Sequence, residues 1–231
     1  MQIAKVLFIK VGKVTVTLLE DSKRKELVSG IKKYPINKAF LTKTGFISDE
    51  QADLKHHGGE NKALFMFSKK TYEKINQECN TKFKIDEVSY FGENIIFSHI
   101  SEEDICIGDI YSLGEATIQI TQPRQPCWKL SANTQQKQMT KFIFNSGLTG
   151  WYAKVLKEGE IKKDDSLILI ERKEPKLNIL ILNKLILNPN LDENLTLKAI
   201  NSQFLGKPFL ESLKKRYLLK EEDKQFEIYH N

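Results

Sequence analysis

The amino-acid sequence predicts a mainly β, α+β fold that ends in a small helical subdomain, and three observations carry that reading. Before Lys173, apolar residues recur in short runs with period two, separated by glycine, proline and charged turns. After Lys173 they recur at helical spacing in three segments bounded by caps or prolines. The 231 residues are 40% hydrophobic and 29% charged, enough apolar material for one large domain with an appendage. The change of period falls between residues 171 and 176, so a β domain over 1–172 and a three-helix subdomain over 173–231 are expected.

Residues 1–20 alternate weakly and read as one or two strands, with Val14, Val16 and Leu18 on one face. A charged turn (Glu20 to Lys25) and a loop through Tyr34-Pro35 follow, then a polar, acidic stretch from Gly45 to Asp53. Ala63 to Phe67 is an unbroken apolar run, as a buried strand requires. Ser68 can cap a helix to about Asn80, in which Tyr72, Ile75 and Cys79 share one face and place Cys79 in the core. Phe91 to Phe97 reads as a strand on which Glu93 and Asn94 need polar partners. Ile105 to Leu113 reads as a strand pair, with Gly108-Asp109 as a turn signal. Ala116 to Thr121 alternates, setting Thr117, Gln119 and Thr121 opposite Ala116, Ile118 and Ile120. Met139, Phe142 and Ile143 mark a helix broken at Gly147. Thr149 to Glu158 pairs Trp151 with Val155 and Tyr152 with Leu156, and is expected as a further helix ended by Gly159. Leu167 to Ile170 closes the β region. The tail helices are Leu177 to Leu187, Leu195 to Ile200 with Asp192 as cap, and Phe209 to Leu219 behind Pro208. The last ten residues are charged and expected to be loose.

The most informative stretch runs from Thr121 to Lys129, where Pro123 and Pro126 stop the strand. Each proline removes a backbone donor and fixes φ, and each pushes the residue before it to extended geometry, so Cys127 is held in a stiff, non-helical segment. Arg124 and Lys129 bring positive charge near it in sequence, which favours a thiolate able to act as nucleophile or metal ligand. A buried structural cysteine fits the same residues. Cys79, Cys106 and Cys127 form an odd set without a CxxC pair, against a disulfide framework or structural zinc.

A net charge of +6 does not mark a nucleic-acid binder, because the surplus is spread evenly. Residues 1–171 carry 25 basic and 22 acidic side chains, and residues 172–231 carry 11 and 8. Lysines at 5, 10 and 13 break the N-terminal apolar run, and Leu177 to Leu187 is too short to span a bilayer. The expectation is a cytoplasmic protein with no membrane and no nucleic-acid partner, and the sequence leaves room for a homodimer.

Asp49-Glu50-Gln51-Ala52-Asp53-Leu54-Lys55-His56-His57-Gly58-Gly59, Phe91-Gly92-Glu93-Asn94, Gly108-Asp109, Thr121 to Cys127 and Gly150-Trp151-Tyr152 occur in that order. Together they resemble the MOSC-domain proteins (molybdenum cofactor sulfurase C-terminal domain), specifically the YiiM-like branch, over about residues 1–170. The C-terminal helices resemble the appendage of that branch. The resemblance implies a β-barrel with flanking helices that binds the molybdenum cofactor (Mo-molybdopterin) through a cysteine thiolate, here Cys127. It also implies reduction of N-hydroxylated small molecules such as 6-hydroxylaminopurine, detoxifying a base analogue. The chain has no flavin, haem or iron–sulfur motif, so an external electron-transfer protein is expected.

An anionic pterin dithiolene calls for cations and backbone donors. His56, His57, Gly58 and Gly59 can form a donor-rich turn, and Lys62 and Arg124 can contact a phosphate or pterin edge. Asn94 can meet the pterin or cap a bulge beside Gly92, and Thr121 and Gln122 flank the ligand position. Asp53 and His57 compete as proton donor, while Glu93 is either a partner of Arg124 or a proton source. Trp128 reads as a core residue, with stacking on a planar base as its other reading, and the helical tail is expected to shield the pocket mouth or dock the electron donor. Two other readings stay open: a sulfur carrier using a Cys127 persulfide, and an anion- or pterin-binding module.

Overall fold

The computed structural model describes residues 2–19, 25–53 and 58–220. Seven strands close into a barrel. Their order is β13 (Ser166–Glu171), β9 (Ile110–Leu113), β10 (Ala116–Pro123), β11 (Trp151–Lys157), β7 (Leu64–Ser68), β8 (Ile95–Phe97) and β1 (Gln2–Val11), and β1 pairs back onto β13. All neighbours are antiparallel except β7 and β8, which are parallel and are joined through helix α1 (Lys69–Cys79). β1 manages three neighbours because it shifts register at Gln2/Ala4 and at Val6/Phe8, turning from β13 to β8 and then to β4 (Tyr34–Ile36). Hairpins β2 (Thr15–Leu18) with β3 (Glu26–Ser29), and β5 (Lys38–Thr42) with β6 (Gly45–Phe46), lie outside the barrel; β12 (Gly159–Lys162) pairs with β5.

Ala63 to Phe67, read as a buried strand, is β7, and its two faces serve two apolar clusters. Leu64 and Met66 point to the barrel core, whereas Phe65 and Phe67 join Tyr72, Ile75 and Phe91 beneath α1. The segment 149–158 corrects the helix expected from Trp151/Val155 and Tyr152/Leu156: it is β11. A separation of four is even, so it also keeps residues on one face of a strand. Trp151, Ala153 and Val155 face the barrel core while Tyr152 faces the second cluster, so the strand is buried on both sides at its start and shows no alternation. Strand β8 begins at Ile95, and Phe91 to Asn94 is irregular. Cys79 is half-buried against the second cluster. A short helix, α2 (Lys129–Thr134), follows Cys127 and precedes α3 (Met139–Ser146).

The three tail helices form as read: α4 (Ile179–Leu187), α5 (Glu193–Asn201) and α6 (Lys207–Leu218). Asn178 and Asp192 accept from the backbone N–H groups of Ile181 and Leu195, and Ser68 does the same for α1 from Thr71. Ile179, Leu182, Phe209 and Leu213 belong to the same apolar cluster as the barrel interior. Arg172 fastens the join, donating to the buried Asp109 carboxylate at 2.8 Å and to the Asp104 carbonyl. No helix among the described residues is long and apolar enough to cross a membrane. The last ten residues lie outside the described residues, as do Glu20 to Arg24.

Candidate functional site

Cys127 lies half-buried in a cleft that is open to solvent. The barrel supplies its wall through Phe65 of β7, Tyr152 of β11 and the Arg124 to Lys129 segment that leaves β10. Loops supply the remainder: Ser29 to Lys33, Glu50 to Asp53, Lys62 from a 3₁₀ turn (Glu60–Lys62), and the irregular Phe91 to Asn94. The two prolines act as the sequence implies. Pro123 ends β10 opposite Trp151, Arg124 N–H donates to the Gly150 carbonyl at 3.2 Å, and α2 starts after Cys127. The Cys127 carbonyl accepts from Leu130 N–H at 2.9 Å and Thr140 Oγ1 at 3.0 Å, fixing the backbone that carries the thiol.

The cleft is cationic. Arg124 is 6% exposed, its guanidinium lies 5.3 Å from the Phe65 ring centroid, and its Nη1 is buried without a hydrogen-bond partner. Lys62 lies over Tyr152, 5.8 Å from the centroid. Burial pulls the Lys62 ammonium below its ordinary value, Arg124 adds repulsion, and Asp53 and Cys127 oppose both. Burial also lowers Lys33, against the attraction of Asp49, with which it forms an ion pair. Tyr152 is raised by burial, and the neighbouring Arg124 acts in the opposite sense.

Beneath the loops lies a buried polar frame. Lys10 donates to Glu93 Oε1 at 2.8 Å, and Tyr72 donates to the same oxygen at 2.8 Å. Glu93 therefore pairs with Lys10 and not with Arg124, because both side chains are fully buried and each needs its counter-charge. Asn94 lines the cleft, yet its amide donates to Asp49 Oδ2 and the Lys10 carbonyl and accepts from Phe65 N–H, so it ties loop to barrel. Gly92 has φ +85°, and a Cβ there would stand 3.1 Å from Ile31, so only glycine fits this wall comfortably.

Of the residues expected at the site, Cys127, Asp53, Lys62, Asn94 and Arg124 come together in the cleft. Thr121 and Gln122 lie behind it: Thr121 donates to the Asn61 carbonyl at 2.7 Å, anchoring the 3₁₀ turn that carries Lys62, while buried Gln122 packs against Gly206. Gly58 and Gly59 do not line the cleft; Gly59, at φ +89°, starts the 3₁₀ turn. His56 and His57 lie outside the described residues. Trp128 is half-buried, and the core tryptophan is Trp151. The tail helices add no cleft-lining side chain. They brace the Cys127 segment from behind, where Gln125 donates to Ser212 at 3.0 Å. The sequence reading missed Lys33, Phe65 and Gln51; Gln51 stands inside the Asp49 to Asp53 motif, whereas nothing local distinguishes Lys33.

No group of three or more His, Cys, Asp or Glu among the described residues could hold a metal ion. Cys127 with surrounding cations suits a metal that arrives with its own sulfur ligands and an anionic tail. The MOSC domain family matches residues 53–168. The protein YflK of Bacillus subtilis is 35% identical over 170 residues, spanning 73% of this chain and 75% of that protein. A protein named reductase from Gibberella moniliformis is 34% identical over 157 residues, covering 68% of this chain but only 28% of its own length. The crystal structure of YiiM from Geobacillus stearothermophilus superposes with a TM-score of 0.74 at 28% identity, over 93% of this chain and 99% of that one. The chain thus belongs to the MOSC-domain family, and within it is YiiM-like.

Proposed function

We propose that this chain binds the molybdenum cofactor in the cleft, with Cys127 as the protein ligand to molybdenum, and reduces N-hydroxylated compounds such as 6-hydroxylaminopurine in the cytoplasm. The observation that carries the reading is Arg124, buried beside Cys127 with an unmet Nη1 donor. A buried guanidinium nitrogen left without an acceptor is costly, so the cleft is built for a ligand that brings one. Lys62 would hold the cofactor's phosphate as a point charge, and Arg124 would present its planar fork to an acceptor on the bound molecule. Cys127 would supply a soft ligand on a backbone that cannot drift.

Reduction of R–NH–OH to R–NH2 consumes two electrons and two protons and releases water. When bound, the cofactor supplies the two-electron couple, replenished by an external electron-transfer protein. The chain's own task is to orient the N–O group and deliver protons. Asp53, which lines the cleft, and His57 of the same motif are the two candidates that would deliver a proton. The reductase name of the Gibberella relative supports this chemistry. Protein from a cofactor-making host, given a chemical reductant, is expected to convert 6-hydroxylaminopurine to adenine, and Cys127→Ser is expected to abolish conversion. Full conversion by that variant would sink the assignment.

A further inference from the structure

A second polar atom in the cleft meets nothing. Gln51 Oε1 is buried without a hydrogen-bond partner, and Gln51 lines the same cleft as Arg124, whose Nη1 is also unpartnered. Buried polar groups in folded proteins are nearly always satisfied, so an unmet acceptor and an unmet donor lining one cleft describe what they await. A phosphate answers only Arg124. Its oxygens are acceptors and would repel the Gln51 carbonyl, so a phosphate leaves half of the demand standing.

We infer that Gln51 and Arg124 together read a donor–acceptor edge of a planar nitrogen heterocycle: an N–H of the bound molecule donates to Gln51 Oε1, and a ring nitrogen or carbonyl accepts from Arg124 Nη1. The walls agree with a flat ring, since Phe65, Phe91 and Tyr152 line the cleft and Phe65 lies 5.0 Å from Tyr152, centroid to centroid. The carbonyl, rather than the amide nitrogen, is the working atom, because Lys62 and Arg124 bring positive charge into the cleft and favour an oxygen facing inward. Gln51 is thereby a specificity residue. This rests on the cleft being the cofactor and substrate site proposed above, and two sources share the chemistry: the pterin of the cofactor and a free purine base.

The test uses the full chain from a cofactor-making host, without reductant so that no turnover occurs. Two quantities are measured in wild type, Gln51→Leu and Gln51→Glu: pterin per chain by fluorescence, and calorimetric affinity for adenine against purine, which lacks the exocyclic amine. Gln51→Leu is expected to lose about tenfold in one of them, the worth of a single hydrogen bond. Gln51→Glu keeps an acceptor and is expected to retain both. Loss of pterin alone assigns the edge to the cofactor, and loss of the adenine preference alone assigns it to the substrate. Loaded wild type with an unchanged Gln51→Leu overturns this inference only, as does a Gln51→Glu that fails as badly as Gln51→Leu while melting normally. Wild type that carries no pterin and binds neither base overturns both the inference and the functional reading.

Discussion

Lys10 and Glu93 form an ion pair at 2.8 Å with both side chains fully buried, under the loop that carries Gly92 and Asn94 into the cleft. Glu93 also accepts from Tyr72 O–H and from Phe91 N–H, so one carboxylate gathers α1, the loop and β1. Removing its charge leaves Lys10 buried alone. Glu93→Gln is expected to destabilise the fold by about 3 kcal/mol, and Tyr72→Phe by about 1 kcal/mol, in urea unfolding. Equal small losses from both would show that the pair is not the anchor of this loop.

Glu102 gives a pH signature of folding. It is fully buried, accepting from Gly150 N–H at 3.0 Å and Thr71 Oγ1 at 2.9 Å, and burial raises its carboxyl above the ordinary 4.5 despite those bonds. The folded state therefore holds its proton longer than the unfolded state. Stability is expected to fall as pH rises from about 4.5 through the folded value, then level. Glu102→Gln, which can keep both contacts, should remove that fall. A wild-type curve parallel to the variant's across this range would contradict the assignment.

The three thiols should differ in reactivity. Burial and the nearby Asp109 carboxylate push Cys106 up to about 11, and its Sγ faces the Pro175 carbonyl. Burial raises Cys79 as well, whereas Cys127 stands in an open cationic cleft. Iodoacetamide at pH 8 is expected to label Cys127 first and Cys106 only on unfolding, as read by peptide mass spectrometry. Early labelling of Cys106 would show that the barrel and tail part more readily than their shared core implies.

Lys62 should give anion binding an early alkaline limit. Burial, with Arg124 repulsion, makes it lose its proton below the ordinary 10.5. Affinity for inorganic phosphate is expected to decline as pH climbs toward that value, and Lys62→Arg should flatten the decline because arginine stays charged. An unchanged pH profile in Lys62→Arg would remove Lys62 from the anion site.

Much of this was legible in the chain because local signals and tertiary outcome agreed. Ser68, Asp192 and the prolines flanking Arg124 each act through their own backbone neighbourhood, and the structure places them as read. The failures have a common cause in burial on two sides. Strand β11 hides its alternation because Trp151 and Tyr152 are both covered, by different clusters. Glu93 announces that it needs a partner, but Lys10 lies 83 residues away, and no local pattern joins them. Lys33 enters the cleft for the same non-local reason, through Asp49. Charge near Cys127 in sequence was also an imperfect guide to charge near it in space: Lys129 lines the cleft but donates to the Val28 carbonyl, while Lys62 comes from a distant turn.

The proposed function turns on Cys127 as the anchor of a molybdenum-bearing pterin in this cleft. The most direct measurement is molybdenum by mass spectrometry together with pterin fluorescence, on wild type and Cys127→Ser purified from a host that makes the cofactor. Near-stoichiometric metal and pterin in wild type, with molybdenum lost from a folded Cys127→Ser, is the expected result. Folded wild-type protein that holds neither, even after incubation with supplied cofactor, would contradict it.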